Sequence, residues 1–182
     1  SDVCSSDLGI LLDSKFREGI ACLGKLGLVF EVNLMFTQLS EVASLAAAFP
    51  DIPIVLNHMG KPVHTGRYAG RRDEVMAEWR RGLAEAARRP NIMVKVGALG
   101  ADTLGFGLHE EATRPSSERL ARLWRPYIET CVELFGPDRA MFESNFPPDK
   151  KSCDYGVLWN GIKRVATQYS AADKAMLFKG TA

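Results

Sequence analysis

Two stretches of the chain share one construction, and it limits the folds open to the whole. Ile54-Val-Leu-Asn-His-Met-Gly-Lys-Pro62 and Arg139-Ala-Met-Phe-Glu-Ser-Asn-Phe-Pro-Pro-Asp149 both begin as a short apolar run. Both then end abruptly in polar, ionisable residues and a proline. A buried strand whose chemistry begins where its backbone stops reads this way. In parallel α/β proteins, sites lie at the carboxyl ends of the strands.

The remaining segments alternate with these two. Ser14–Leu26 has Phe16, Ile20 and Leu23 on one helical side, with Gly27 to end it. Leu28–Met35 reads as the first strand, followed by an amphipathic helix from Gln38 to Phe49 that Pro50 stops. Pro53–His58 is the second strand, Asp73–Arg89 a helix and Asn91–Gly97 the third strand. Ser116–Phe135 is the longest helical pattern and stops at Gly136-Pro137. Arg139–Ser144 is the fourth strand, Asp154–Tyr169 is helical, and Ser170-Ala-Ala-Asp173 has the capping-box form that opens a last helix. Two long glycine-bearing loops, one through Gly60 to Gly70 and one from Ala98 to Pro115, both follow strands.

Strand and helix thus alternate four times with no hairpin signal. That order predicts either half of a (β/α)₈ barrel or a small doubly wound sheet. A complete barrel needs ~250 residues, against 182 in this chain. The expectation is therefore a TIM barrel of which about the last four β/α units are present, over residues 9–182. Residues 1–8, Ser-Asp-Val-Cys-Ser-Ser-Asp-Leu, match no periodic pattern and read as a non-native or disordered leader.

Lys plus Arg number 23 and Asp plus Glu 22, so no global field points to nucleic acid or to a membrane surface. The arginine pairs Arg71-Arg72, Arg80-Arg81 and Arg88-Arg89 alternate with Glu74, Glu78 and Glu85, as on a solvated helical face. No apolar run approaches the ~20 residues of a membrane span. Cys4, Cys22, Cys131 and Cys153 form no CxxC pair; Cys22 and Cys131 sit among apolar residues as buried thiols do. A reducing cytoplasm is the default expectation.

The candidate chemistry gathers at the strand ends. His58 can ligate a metal, polarise a carbonyl or move a proton; its bland alternative is a structural histidine. Glu143 and Asn145 share one side of the fourth strand, with Ser144 between them and Asp149 following Pro147-Pro148. Asp149 either caps the next turn or faces a substrate. Lys95 ends the third strand, and an ion pair with Glu143 is the economical way to hold both charges inside a barrel. Gln38 either contacts a ligand or opens the helix it precedes. Lys61, His64, Arg67 and Tyr68 would form a cationic, aromatic rim suited to a carboxylate, or a solvated loop. His109, beside Glu110 and Glu111, reads as surface. Ser144 lacks a Gly-x-Ser-x-Gly elbow, and no phosphate-binding glycine motif occurs.

Taken in order, Gly27-Leu-Val-Phe30, Gln38-Leu39, Ile54–Pro62, Asn91-Ile-Met-Val-Lys-Val-Gly97, Phe135-Gly-Pro-Asp-Arg139, Met141-Phe-Glu-Ser-Asn-Phe-Pro147 and Leu158-Trp-Asn160 resemble the amidohydrolase-related family. These are (β/α)₈ hydrolases, with or without metal, that include fuconolactonase-like and pyrone-dicarboxylate lactonases and some decarboxylases. The resemblance implies that the chain is the C-terminal half of such a barrel. His58 would then match a histidine that contacts metal or the substrate carbonyl. Asn145 stands where many relatives carry an aspartate that activates water, and Phe36 where some carry a further histidine. An amide cannot take a proton, so base chemistry passes to Glu143, Asp149 or a group outside this chain. A catalytic zinc site needs about three protein ligands, so no metal is expected in this chain, although the whole protein could use a divalent ion such as Zn²⁺ with His58 as one ligand.

The resulting expectation is a hydrolase of a small lactone, ester or amide. Its site would comprise His58, Glu143, Asn145 and Asp149 as catalytic groups and Gln38, Lys61, Lys95 and Ser144 as substrate-binding groups. A decarboxylase on the same scaffold and a catalytically dead ligand-binding barrel are the alternatives. A small-molecule substrate and self-association complete the expected partners; the half-barrel alone is expected to be inactive.

Overall fold

The structure, a computed structural model, describes residues 9–182, so the expected leader at residues 1–8 lies outside the described residues. Four strands, β1 (Phe30–Val32), β2 (Ile54–Leu56), β3 (Ile92–Val96) and β4 (Ala140–Phe142), form one parallel sheet in the order β1-β2-β3-β4. Glu31 pairs with Val55, Val55 with Met93, and Lys95 with Met141. The connecting helices are α1 (Ser14–Lys25), α2 (Leu39–Ala48), α3 (Arg72–Ala87), α4 (Ser117–Phe135), α5 (Tyr155–Val165) and α6 (Ala171–Ala175). The architecture is four β/α units of a TIM barrel. No helix among the described residues is long and apolar enough to cross a membrane.

Strand alternation separates the two faces of the sheet. Ile54, Leu56, Ile92, Val94, Val96 and Ala140 are wholly buried. With Trp79, Leu83, Trp124, Ile128 and Ile162 they form the core beneath the helices. The opposite parity carries Glu31 and Lys95, which remain partly accessible. This second face is the one a barrel turns inward.

The strands are shorter than the apolar runs that encode them, for identifiable reasons. Gly27 adopts φ 64 and ends α1 as its sequence position predicts, while the Leu28 N–H donates to Leu23 O. Leu28 is thereby consumed by the helix cap and cannot join β1. At the other end, Phe36–Gln38 winds into a single 3₁₀ turn before α2. Ser170 caps α6 through the Asp173 N–H, as its capping-box form predicts, and Ser116, read as the first helical residue, instead caps α4 through the Arg119 N–H. Cys131 is buried, but Cys22 is exposed. The correction follows from helix geometry, because Cys22 lies two residues beyond the buried Ile20 and so about 200° further round α1.

Candidate active site

The carboxyl ends of the strands carry unusual backbone. Five non-glycine residues have positive φ among those described: His58, Met59, Lys61, Ala98 and Asn145. All lie just past the ends of β2, β3 or β4. Left-handed conformations cost non-glycine residues on the order of 1 kcal/mol or more, and they concentrate where function demands a particular geometry. The His58–Lys61 turn is held from several sides. The Trp79 indole N–H donates to Met59 O at 2.6 Å, and the Lys61 N–H donates to His58 O at 2.9 Å. Gly60, at φ 68, packs so closely on Leu39 that a Cβ there would sit 2.7 Å from its Cδ2.

This turn directs the His58 ring toward β4, where Nδ1 lies 2.6 Å from Glu143 Oε1. Both side chains are about one-fifth exposed, at 19% and 20%. A carboxylate can only accept, so Nδ1 carries the proton; in the neutral ring Nε2 then presents a lone pair. The expected Lys95–Glu143 pair does not form. Lys95 instead bridges to Glu31, reaching over β2 between them. The physical reason is that the β2 turn brings His58 onto Glu143, so Lys95 pairs with the carboxylate left on its face of the sheet, Glu31.

Asn145, at φ 48, uses its Nδ2 to donate to Asp149 Oδ1 at 3.2 Å. Asparagine tolerates this left-handed position better than most residues. Asp149 is 1% exposed, and its second oxygen, Oδ2, has no hydrogen-bond partner. Burial pushes its pKa up to about 6, despite the hydrogen bonds from Asn145 and the Gly100 backbone and the nearby His58. Glu143 adds to the upward shift. The Ser152 hydroxyl donates to Gly100 O at 2.6 Å and fastens this segment to the loop after β3. Ser144 is half-buried, and its Oγ accepts from the Phe146 N–H. Lys61 is half-buried at the end of the strained turn. Gln38 is buried, and its Oε1 accepts from the Met35 N–H at 3.4 Å, in keeping with a helix-entry position.

The rim predicted around His64 is corrected. His64 is buried, its Nε2 lies 2.9 Å from the Tyr127 hydroxyl, and burial followed by the charge of Arg72 lowers its pKa to about 4. It is neutral and contributes nothing cationic. Arg72 is also turned inward rather than solvated. It donates to Tyr127 Oη at 2.6 Å and to Leu104 O at 2.9 Å, and lies over the Phe106 ring. Its neighbour Arg71 does lie on the surface, paired with Glu74. Arg67 stacks on Tyr68 and stays exposed, and His109 is exposed beside Asp102. Sequence reasoning missed the Arg72–Tyr127–His64 chain that joins the two long loops; the one available signal was a tyrosine hydroxyl placed within the apolar pattern of α4.

A profile of the amidohydrolase family matches residues 5–182. The chain belongs to this family. It is 31% identical over 175 residues to an L-fucono-1,5-lactonase of Burkholderia multivorans, covering 93% of this chain and 55% of that protein. It is 32% identical over 169 residues to an uncharacterized protein, y4mH, of Sinorhizobium fredii, covering 92% of this chain and 50% of that one. Among solved structures, an amidohydrolase from Burkholderia multivorans with bound HEPES superposes with a TM-score of 0.81 at 26% identity, covering 95% of this chain and 57% of that one. An amidohydrolase from Burkholderia multivorans in another crystal form, with bound zinc, superposes with a TM-score of 0.80 at 26% identity, covering 95% of this chain and 57% of that one. The chain spans about half the length of the curated relatives it matches.

The donor set here does not by itself compose a metal centre. No group of three or more His, Cys, Asp or Glu side chains among the described residues is arranged to hold an ion. With Nδ1 engaged by Glu143, His58 offers a single ligating atom, Nε2, and Asp149 Oδ2 is inaccessible.

Proposed function

We propose that the protein hydrolyses a small sugar-derived lactone, with His58 as the proton-transferring base and Glu143 as its orienting partner. The single observation that carries this reading is the 2.6 Å contact between His58 Nδ1 and Glu143. It leaves Nε2 as the basic atom of a ring fixed at the strand ends. Water placed at Nε2 loses a proton to it as its oxygen attacks the lactone carbonyl. Glu143 stabilises the imidazolium that forms. The ring C–O bond then breaks, and the imidazolium proton passes to the departing alkoxide, leaving a hydroxy acid and regenerating neutral His58.

Asn145 commits one amide N–H to Asp149 and keeps its carbonyl oxygen for a water or a sugar hydroxyl. Asp149 itself is too deeply buried to touch a substrate and acts as the positioning group behind Asn145. Lys61 ends the strained turn and suits a carboxylate on substrate or product. The lactonase among the relatives supports the choice of a lactone over an ester or amide.

Hydrolysis of a panel of sugar 1,5-lactones by the full-length protein, followed by acid release, tests the reading. His58→Ala is expected to lower kcat/KM by roughly 10²–10⁴, the usual contribution of a positioned general base. An unchanged kcat/KM would sink the assignment.

A further inference from the structure

We propose that Gly97 is a positioning residue for the His58–Glu143 pair, acting by having no side chain. β3 lies between β2 and β4 in the sheet, and Gly97 is the first residue past its end. Glu143 must cross that point to reach from the end of β4 to the turn after β2. A Cβ at position 97 would sit 2.0 Å from Glu143 Cγ, 2.9 Å from its Cδ and 2.8 Å from its backbone oxygen. Real Cβ atoms essentially never approach other heavy atoms that closely.

The glycine is not there for backbone freedom, because its φ lies outside the left-handed region that residues 98 and 145 occupy. What position 97 needs is space. The obstructed atom is the second carbon of the Glu143 side chain, not its tip, so no small rotation of the carboxylate relieves the clash. Any side chain at 97 therefore turns Glu143 away from β3 and away from His58. The ring then loses the acceptor that holds the proton on Nδ1. Gly97 in this sense selects the tautomer of a histidine on the far side of the strand. The catalytic consequence rests on the lactonase reading; the tautomer does not.

The experiment reads the ring directly. The chain has three histidines, so ¹⁵N-histidine labelling with His58→Gln as reference assigns the His58 ring nitrogens. In mildly alkaline buffer the wild-type ring is expected to carry its proton on Nδ1. Gly97→Ala is expected to lose that signal and to match Glu143→Ala, with the proton on Nε2. Retention of the Nδ1–H form in Gly97→Ala overturns the proposal, whatever the lactone assay shows. Should Gly97→Ala not fold, the double variant Gly97→Ala/Glu143→Ala decides. Recovery of folding in the double variant supports a clash with the Glu143 side chain, and failure to recover shows that position 97 serves the backbone alone. A wild-type Nδ1–H tautomer with no lactonase activity would leave Gly97 in its role and remove only the substrate assignment.

Discussion

Replacing Asp149 by asparagine should make the protein more stable, and increasingly so as pH rises. Asp149 is 1% exposed, and burial raises its pKa from an ordinary value of 3.8 to about 6. The sign is that of an acid that folding makes harder to ionise. Below pH 3.8 the carboxyl is protonated in both folded and unfolded chains, and it contributes no charge penalty. Between the two values the unfolded chain releases the proton while the folded chain keeps it, so stability falls by about 1.4 kcal/mol per pH unit. Above about pH 6 both states are ionised and the cost is constant, at about 3 kcal/mol for the full interval. Urea unfolding of wild type and Asp149→Asn at pH 4 and pH 7.5 measures this. Hydrogen-bond differences between the two side chains give a constant offset, so the informative quantity is how the stability difference changes with pH. It should grow by roughly 2 kcal/mol in favour of the variant. A difference that stays flat within about 0.5 kcal/mol would show that Asp149 ionises as freely in the folded chain as outside it.

Three further substitutions test the packing that carries the site. Gly82→Ala should destabilise by about 1–3 kcal/mol in urea despite a better helix propensity, because a Cβ there would lie 2.8 Å from Leu39 Cβ across the α2–α3 contact. Asn91→Ala should cost about 2 kcal/mol by the same measurement, since its Nδ2 donates to the carbonyls of Ala46, Phe49 and Ile52. Tyr127→Phe should cost about 1–3 kcal/mol, because it strips the hydroxyl shared by Arg72 and His64 within a buried chain. Native-state hydrogen exchange should then show faster opening of the loops at 61–71 and 98–115, and unchanged protection in both would refute the cross-loop role.

How much of this was legible in the sequence differs with the range of the interaction involved. The order of strands and helices could be read from apolar periodicity, and helix ends such as Ser170 and Gly27 from local chemistry. Both depend on residues within a few positions of one another. His58, Glu143, Asn145 and Asp149 could be picked out because each stands where an apolar run stops. Their partners could not. Whether Glu143 meets Lys95 or His58 depends on a left-handed turn at residues 58–61, and histidine, methionine and lysine do not announce positive φ. Arg72 likewise looked like its neighbour Arg71, until Tyr127, 55 residues further on, supplied an inward partner.

The two ends of the strands put the same polar chemistry to opposite uses. Before β3 and β4, single side chains saturate backbone carbonyls: Asn91 donates to one carbonyl in the last turn of α2 and two in its connection to β2, and Arg139 donates to the carbonyls of Ala87, Arg89 and Ile92. Past the carboxyl ends the balance reverses, with left-handed backbone at His58, Ala98 and Asn145 and an unsatisfied oxygen on buried Asp149. Strained backbone and an unpartnered buried oxygen persist only when the surrounding structure offsets their cost. The carbonyl ties below and the Trp79 anchor on Met59 are the contacts that provide it. A change at Asn91 or Arg139 should therefore loosen the His58 turn without touching it, so losses of stability at one end of the sheet and of His58 tautomer order at the other are expected to appear together.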